Sequence, residues 1–238
     1  MSQSRLFDRI DGRAELVDLH RREVNYSTAD VDPGWNHDSH RFTLPREGPG
    51  PPEEGGSWAL ARSIVEAYEF CVPELIHAAY DSRDELLGRN MLLEGRFLVL
   101  RYYLGVRITG VVDEAREGSQ RVWGWNYRTL QGHLEQGQMG YEVVKHEETG
   151  EVEFVITAYS SGSPGLGPIT RLGWRVFGRR TQLRFYRRCG QRVRQQVSLL
   201  RAGGTLASLT TPDGYVLIPG DAPRRRRDRL SLRHRQPG

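Results

Sequence analysis

Residues 122–137 read Val-Trp-Gly-Trp-Asn-Tyr-Arg-Thr-Leu-Gln-Gly-His-Leu-Glu-Gln-Gly. A strand sends successive side chains to opposite faces, so Trp123, Trp125, Tyr127 and Thr129 share one face. Val122, Gly124, Asn126, Arg128 and Leu130 take the other. An aromatic face beside Gly124 and Gly132 predicts a strand that floors a cavity or carries a packed layer.

The same period of two governs the neighbouring sequence. Leu98, Leu100, Tyr102, Leu104, Val106, Ile108 and Val112 alternate through residues 92–112. That span is too long for one ordinary strand and predicts a bend near Gly105 or two strands in succession. Residues 113–120 form a charged turn, and residues 138–146 and 151–159 read as further strands. Glu148-Thr149-Gly150 supplies a hairpin turn between them. Closely spaced strands of this kind predict an antiparallel meander.

Helical periods flank the strands. Ser57 is placed to cap a helix over residues 58–70, with Leu60, Ile64 and Tyr68 on one stripe. Pro73 suits the first turn of a second helix reaching about residue 80, and residues 84–87 suggest a third. Residues 13–22 predict a short surface helix, and Pro33-Gly34 a turn. Pro168 opens a long basic helix expected to reach about Val197. Its apolar stripe is Ile169, Leu172, Val176, Leu183, Val193 and Val197, widened by Trp174, Phe177 and Phe185.

Composition sets the remaining bounds. Of 238 residues, 37% are hydrophobic, and these concentrate between about Trp58 and Val197. The division expected is a polar N-terminal extension (1–40), one core domain (41–198) and a basic, disordered tail (199–238). Two distant cysteines, Cys71 and Cys189, exclude a disulfide scaffold and a cysteine metal site. The absence of a signal pattern or a bilayer-length apolar run makes cytoplasm the expected compartment. The net charge of +4 is carried by arginine, Lys145 being the single lysine. Helices, then a curling strand series, then a long helix define the fold class expected. It is α+β, a helix-grip layout with a curved antiparallel sheet around a long C-terminal helix.

Particular residues point the same way. Val112-Asp113-Glu114, Tyr127-Arg128-Thr129-Leu130-Gln131-Gly132-His133, Gly137 and the dipeptide Asn25-Tyr26 resemble the domain-of-unknown-function family numbered nineteen-ninety. The late strand Glu153-Phe154-Val155-Ile156-Thr157-Ala158-Tyr159-Ser160, followed by a basic helix, resembles it too. That family is similar to the START and Bet v 1-like helix-grip group, which implies the same architecture; the family implies no activity. The chain departs from it in carrying Arg128 where glycine is usual, and Gln138-Met139 where Glu-Glu is usual.

His133 is the leading candidate for a general acid or base, or for a polar ligand contact. Asp113 and Glu114 are weighed as a carboxylate pair, though a charged turn explains them as well. Trp123, Trp125, Tyr127 and Thr129 are candidate ligand contacts, the rings by stacking. Arg101 and Tyr103, with Arg107, share one face of the long strand and would bind an anionic headgroup if that face lined a cavity. His37-Asp38-Ser39-His40 resembles a metal-ligand run but lacks a third histidine at a usual spacing, so no metal or other cofactor is expected. The expected partner is a small apolar or aromatic molecule held between sheet and long helix. Alternatives are a cyclase- or hydrolase-like enzyme using the same cavity, and a basic adaptor. The adaptor would meet nucleic acid or anionic surfaces through the last helix and Arg224, Arg225, Arg226 and Arg227. Stable membrane insertion is not expected.

Overall fold

The computed structural model describes residues 12–97, 100–162, 179–222 and 232–234. In chain order they form α1 (Gly12–Leu19), β1 (Asn36–Thr43), α2 (Ser57–Glu66), β2 (Ile76–Asp81), β3 (Asn90–Phe97) and β4 (Leu100–Arg116). Then come β5 (Gln120–Thr129), β6 (Glu135–His146), β7 (Glu151–Gly162), α3 (Arg179–Arg201), β8 (Leu209–Thr210), β9 (Tyr215–Ile218) and β10 (Leu232–His234). The strands make one curved sheet in the order β1-β7-β6-β5-β4-β3-β2-β9-β8, antiparallel along that path, with β10 parallel beside β4.

Pairing register decides which residues share a face. Trp125 lies opposite Tyr141, which lies opposite Ile156, which lies opposite His40. These residues point toward α2 and α3. Trp58, Ala61, Ile64 and Val65 of α2 and Phe185, Tyr186, Cys189, Val193 and Val197 of α3 join them in one buried core. The ring of Tyr68 is fully buried within it, 5.8 Å from Trp125 and 4.9 Å from Phe70. Tyr68 reaches that position through a left-handed backbone (φ 62°) just after α2. Such strain costs on the order of 1–3 kcal/mol, comparable to what burying one large ring returns. Helix α3 crosses β1 so closely that a methyl on Gly190 would lie 2.2 Å from the Phe42 ring. The opposite face of the sheet carries a smaller cluster, in which Leu16 and Leu19 of α1 pack on Ala79, Leu92 and Leu130.

Several expected elements differ. Residues 76–81 form strand β2, not a helix, because Ile76, Ala78 and Tyr80 alternate and both strand edges find partners, β3 and β9. Residues 84–87 form no helix: 84 is a bend and 86–88 a turn. Ser57 is the first helical residue, and Gly56 occupies the cap position without a side-chain bond. The carboxylate of Glu47 caps α2 instead, accepting from the Trp58 N–H at 2.6 Å. The long alternating span divides into two antiparallel strands, β3 and β4, and the irregularity in β4 falls between Ile108 and Gly110, not at Gly105. The charged turn shrinks to residues 117–119, since β4 and β5 run to its edges. The polar stretch before residue 44 supplies β1, which crosses position 40. Residues 209–210 and 215–218, expected to lack order, supply β8 and β9; β9 pairs along the edge of β2, and β8 pairs with β9. The helix expected from Pro168 is described from Arg179 onward; Ile169, Leu172, Trp174, Val176, Phe177 and the four arginines 224–227 lie outside the described residues. Among the described residues no helix is long and apolar enough to cross a membrane.

The C-terminal strands are tied back by Glu69, whose carboxyl accepts the Gly220 N–H at 3.1 Å. Burial pushes Glu69 up to about 7, against the pull of that N–H and of Arg192. A carboxyl raised from its unfolded value destabilises the fold progressively as pH rises from about 4.5 to 7. Glu69→Gln keeps the acceptor and removes the charge. It is expected to raise stability above pH 7 by on the order of 2 kcal/mol, solvent screening included, and to change little in acid. Urea unfolding at both pH values checks this, and an equal effect at each would refute it.

Candidate functional site

The aromatic strand β5 delivers its rings to the core. The Trp125 indole N–H donates to the Val65 carbonyl at 3.0 Å, and its ring is 5.0 Å from that of Tyr141. Trp123 is 2% exposed and carries the Arg62 guanidinium 5.0 Å above its ring. These contacts are packing contacts. Tyr127 lies nearer the far end of the strand, its hydroxyl 3.6 Å from the Met139 sulfur. Arg101 and Tyr103 stand on the opposite face of the sheet. The Tyr103 hydroxyl donates to Glu94 at 3.0 Å, and the Arg101 Nε lies 3.7 Å from the same carboxylate. Arg107 is likewise committed there, donating to Asn90 and to the carbonyls of Leu19 and Arg22. That side therefore holds a buried ionic layer, with Arg107 tying it to α1, and does not join the aromatic face.

The residues that resemble the family signature converge on one turn. The Thr129 hydroxyl donates to the Asn25 Oδ1 at 2.6 Å and accepts the Gly137 N–H at 3.0 Å. The Asn25 backbone N–H donates to the Thr129 carbonyl, and its amide Nδ2 donates to the Glu135 carbonyl at 2.9 Å. The His133 Nδ1 accepts the Glu135 N–H at 2.9 Å. At Gly137 any side chain is barred, because a Cβ would lie 2.2 Å from the Tyr159 carbonyl oxygen. Both backbone groups of Glu135 are thus held, one by Asn25 and one by His133. His133 is buried, and desolvation lowers its basicity to about 4, so it is neutral at pH 7. Asp113 and Glu114 sit at the other end of β5, opposite Trp123 and Val122, where Arg121 and Arg116 pair with them. They do not meet His133.

Strand alternation sends Glu135 to the same side as Met139 and Tyr141. There it approaches a polar group drawn from β1 and α3. Arg179, the first described residue of α3, grips Asp38 with two hydrogen bonds. The Tyr186 hydroxyl lies 3.4 Å from Asp38, and Gln182 donates to the Ser160 hydroxyl at 3.2 Å. The His40 ring lies 4.9 Å from that of Tyr186, with its Nε2 buried and lacking a hydrogen-bond partner. His37 points to the opposite face of β1, so the two histidines of the metal-like run never share a site. No described residue donates a hydrogen bond to the Glu135 carboxyl. Desolvation pushes it up to about 8, Arg179 opposing and Asp38 adding.

This end of the helix-facing side is also the more exposed one. Tyr141, Val143, Phe154 and Ile156 are fully buried toward one end. Glu135, Met139 and Gln182 keep intermediate exposure at the other. Of this group the sequence marks Tyr127, as a ligand contact, and Asp38 and His40, as part of a metal-like run. Glu135, Arg179, Gln182 and Tyr186 escape it as functional residues; alternation on β6 is the one signal that could have marked Glu135.

A curved antiparallel sheet closed over a long C-terminal helix, with a polar group at one end between them, defines a helix-grip domain. The chain belongs to the family described as domain of unknown function (DUF1990), which matches residues 20–192. No curated protein matches it by sequence. Among solved structures it is similar to TTHA0849 from Thermus thermophilus, at 10% identity and a TM-score of 0.43, over 71% of this chain and 100% of that one. Ara h 8.0201 is similar at 10% identity and a TM-score of 0.40, over 69% and 99% of the two chains. Human STARD10 is similar at 10% identity and a TM-score of 0.40, over 82% and 84%.

Proposed function

We propose that this domain binds a small, largely apolar molecule at the partly exposed end of the sheet–helix interface. Tyr127, Met139, Ala158 and Leu183 would contact its body, and the group around Asp38, Arg179 and Glu135 its polar part. The observation that carries this reading is the gradient of packing. Rings fill one end of the interface completely, whereas at the other Glu135 and Gln182 are partly exposed and the His40 Nε2 is buried without a hydrogen-bond partner. A buried polar atom left without a partner costs free energy, so its retention favours a ligand that satisfies it. Trp123 and Trp125 support the wall of the site by packing rather than by stacking on the ligand.

Native mass spectrometry of protein purified gently from its own host tests this reading. A reproducible excess mass, lost on denaturation, is the expected result. A bare chain whose melting temperature is also unmoved by neutral naphthyl compounds would reject it.

One observation favours a second reading, an enzyme with Glu135 as general acid. A carboxyl poised near neutrality suits proton donation, and Glu135 replaces His133 in that role because His133 is too weakly basic. Glu135→Gln separates the two readings: retained binding with lost turnover supports the enzyme.

A further inference from the structure

Helix α3 carries eight arginines and no acid in 23 residues, and residues 163–178 ahead of it contain no acid either. The whole chain bears only +4, so its positive charge is concentrated on this helix and the remainder is acidic. The eight arginines divide into two sets. Arg179 pairs with Asp38, Arg188 with Glu74 and Arg192 with Asp221, while Arg201 donates to the Arg46 carbonyl and the Ser57 hydroxyl. Arg180, Arg184, Arg187 and Arg194 are exposed and make no ion pair or hydrogen bond among the described residues. At about 100° per residue these four fall within roughly 80° of arc, so they form one stripe about 21 Å long. Phe185, Tyr186, Cys189, Val193 and Val197 take the opposite face and are buried in the core. A solvated face needs only polar side chains, and glutamine would serve. Arg180 with Arg184, and Arg184 with Arg187, instead repel each other along the free helix. A stripe of this kind is complementary to a polyanion.

The surroundings of the stripe choose among polyanions. The apolar face of α3 is consumed by the core, so the helix cannot sink it into a bilayer. Glu74 and Asp221, held by the arginines that flank the stripe, would be pressed against any broad anionic plane. Both aromatic side chains of the helix, Phe185 and Tyr186, are buried, so the bases of a single strand find no stacking platform on it. A duplex is a narrow line of charge with one phosphate per about 1.7 Å of axis, which offers this length more phosphates than it has arginines. We propose that Arg180, Arg184, Arg187 and Arg194 dock α3 on the phosphate backbone of a nucleic-acid duplex without reading its sequence. Guanidinium groups grip phosphate oxygens bidentately, and contacts to phosphate carry no base information. The stripe faces away from the sheet, so the ligand reading above stands or falls separately.

Fluorescence anisotropy of a labelled DNA duplex of about 20 base pairs, titrated with the full chain between about 50 and 200 mM salt, tests this. Four phosphate contacts contribute about −3.6 to the slope of log affinity against log salt, roughly a hundredfold over that range. Arg180→Gln, Arg184→Gln, Arg187→Gln and Arg194→Gln combined should remove that part of the slope and weaken binding at about 50 mM at least tenfold. Glutamine keeps the helix, and circular dichroism with an unchanged urea midpoint checks that the variant is folded. Arg187→Gln alone should lower the slope by about 0.9. A second duplex of unrelated sequence should bind within about threefold of the first, since phosphate contacts do not distinguish bases. Replacing Arg224, Arg225, Arg226 and Arg227 by glutamine should leave the contribution of the stripe in place. Undiminished duplex binding by the fourfold α3 variant, or no duplex binding by the folded wild type at low salt, would overturn the inference. Tighter binding to a single strand or to phosphatidylserine vesicles than to the duplex would overturn it as well.

Discussion

Lys145→Met is expected to destabilise the domain by about 3–5 kcal/mol, the cost of leaving a buried charge without its partner. The ammonium of Lys145 and the carboxylate of Glu47 are 2.6 Å apart, and both side chains are wholly buried. The carboxylate also accepts the N–H groups of Trp58 and Glu53, which pins the start of α2 to the loop before it. Burial alone would push Glu47 up, but the hydrogen bonds from Lys145, Trp58 and Glu53 together hold it below its ordinary value. A depressed carboxyl stabilises the fold above its unfolded value and loses that contribution as pH falls through the folded one. Without Lys145 the sign reverses. Glu47 must then be buried unpaired at neutral pH, and protonation in acid relieves it. The gap between wild type and Lys145→Met should therefore be widest near pH 7 and shrink below the ordinary carboxylate range, as read by urea unfolding. Removing both charges, in Glu47→Gln with Lys145→Met, should recover most of the loss, because the glutamine carbonyl still accepts from Trp58. A double variant as unstable as Lys145→Met would show that packing, not the ion pair, is at stake.

Elements with a strong period were legible in the sequence. The alternation through β5 and the first half of β4 and the apolar stripe of α3 reflect a face packed on the core, and the hairpin at residues 147–150 reflects its turn residues. Ile76–Asp81 misled because Ala78 and Ala79 favour helix locally, and only pairing with β3 and β9 decides for a strand. Strand β1 was hidden for another reason. Its helix-facing positions include Asp38 and His40, so polar residues occupy the face where a strand normally shows its apolar signature. The candidate site was hidden by the same logic. Asp38 and Arg179 stand 141 positions apart in the chain, and no local pattern links them to Glu135. The Thr-Leu-x-Gly-His element was recognisable as a signature, but its chemistry was not. A histidine beside a glycine suggests a base, whereas here burial and the Glu135 N–H make it a fixed acceptor.

That reassignment makes Thr129 the residue whose loss should couple stability to the site. Its hydroxyl is the hub between Asn25 and Gly137, and the residue is 4% exposed. Thr129→Val keeps the shape but leaves the Asn25 Oδ1 and the Gly137 N–H unpaired in a dry environment. Each orphaned group costs about 1–3 kcal/mol, so a loss of about 2–4 kcal/mol is expected. Thr129→Ser retains the hydroxyl and should lose far less. The effect should also reach Glu135, because Asn25 holds its carbonyl through the same amide that Thr129 orients. In Thr129→Val under conditions where it remains folded, the titration midpoint of the Glu135 carboxyl followed by NMR should move from that of the wild type, while Thr129→Ser should leave it in place. A Thr129→Val protein that is less stable yet titrates as the wild type would reduce the signature to a structural clasp. A displaced midpoint would mean that these residues are retained to aim one carboxyl.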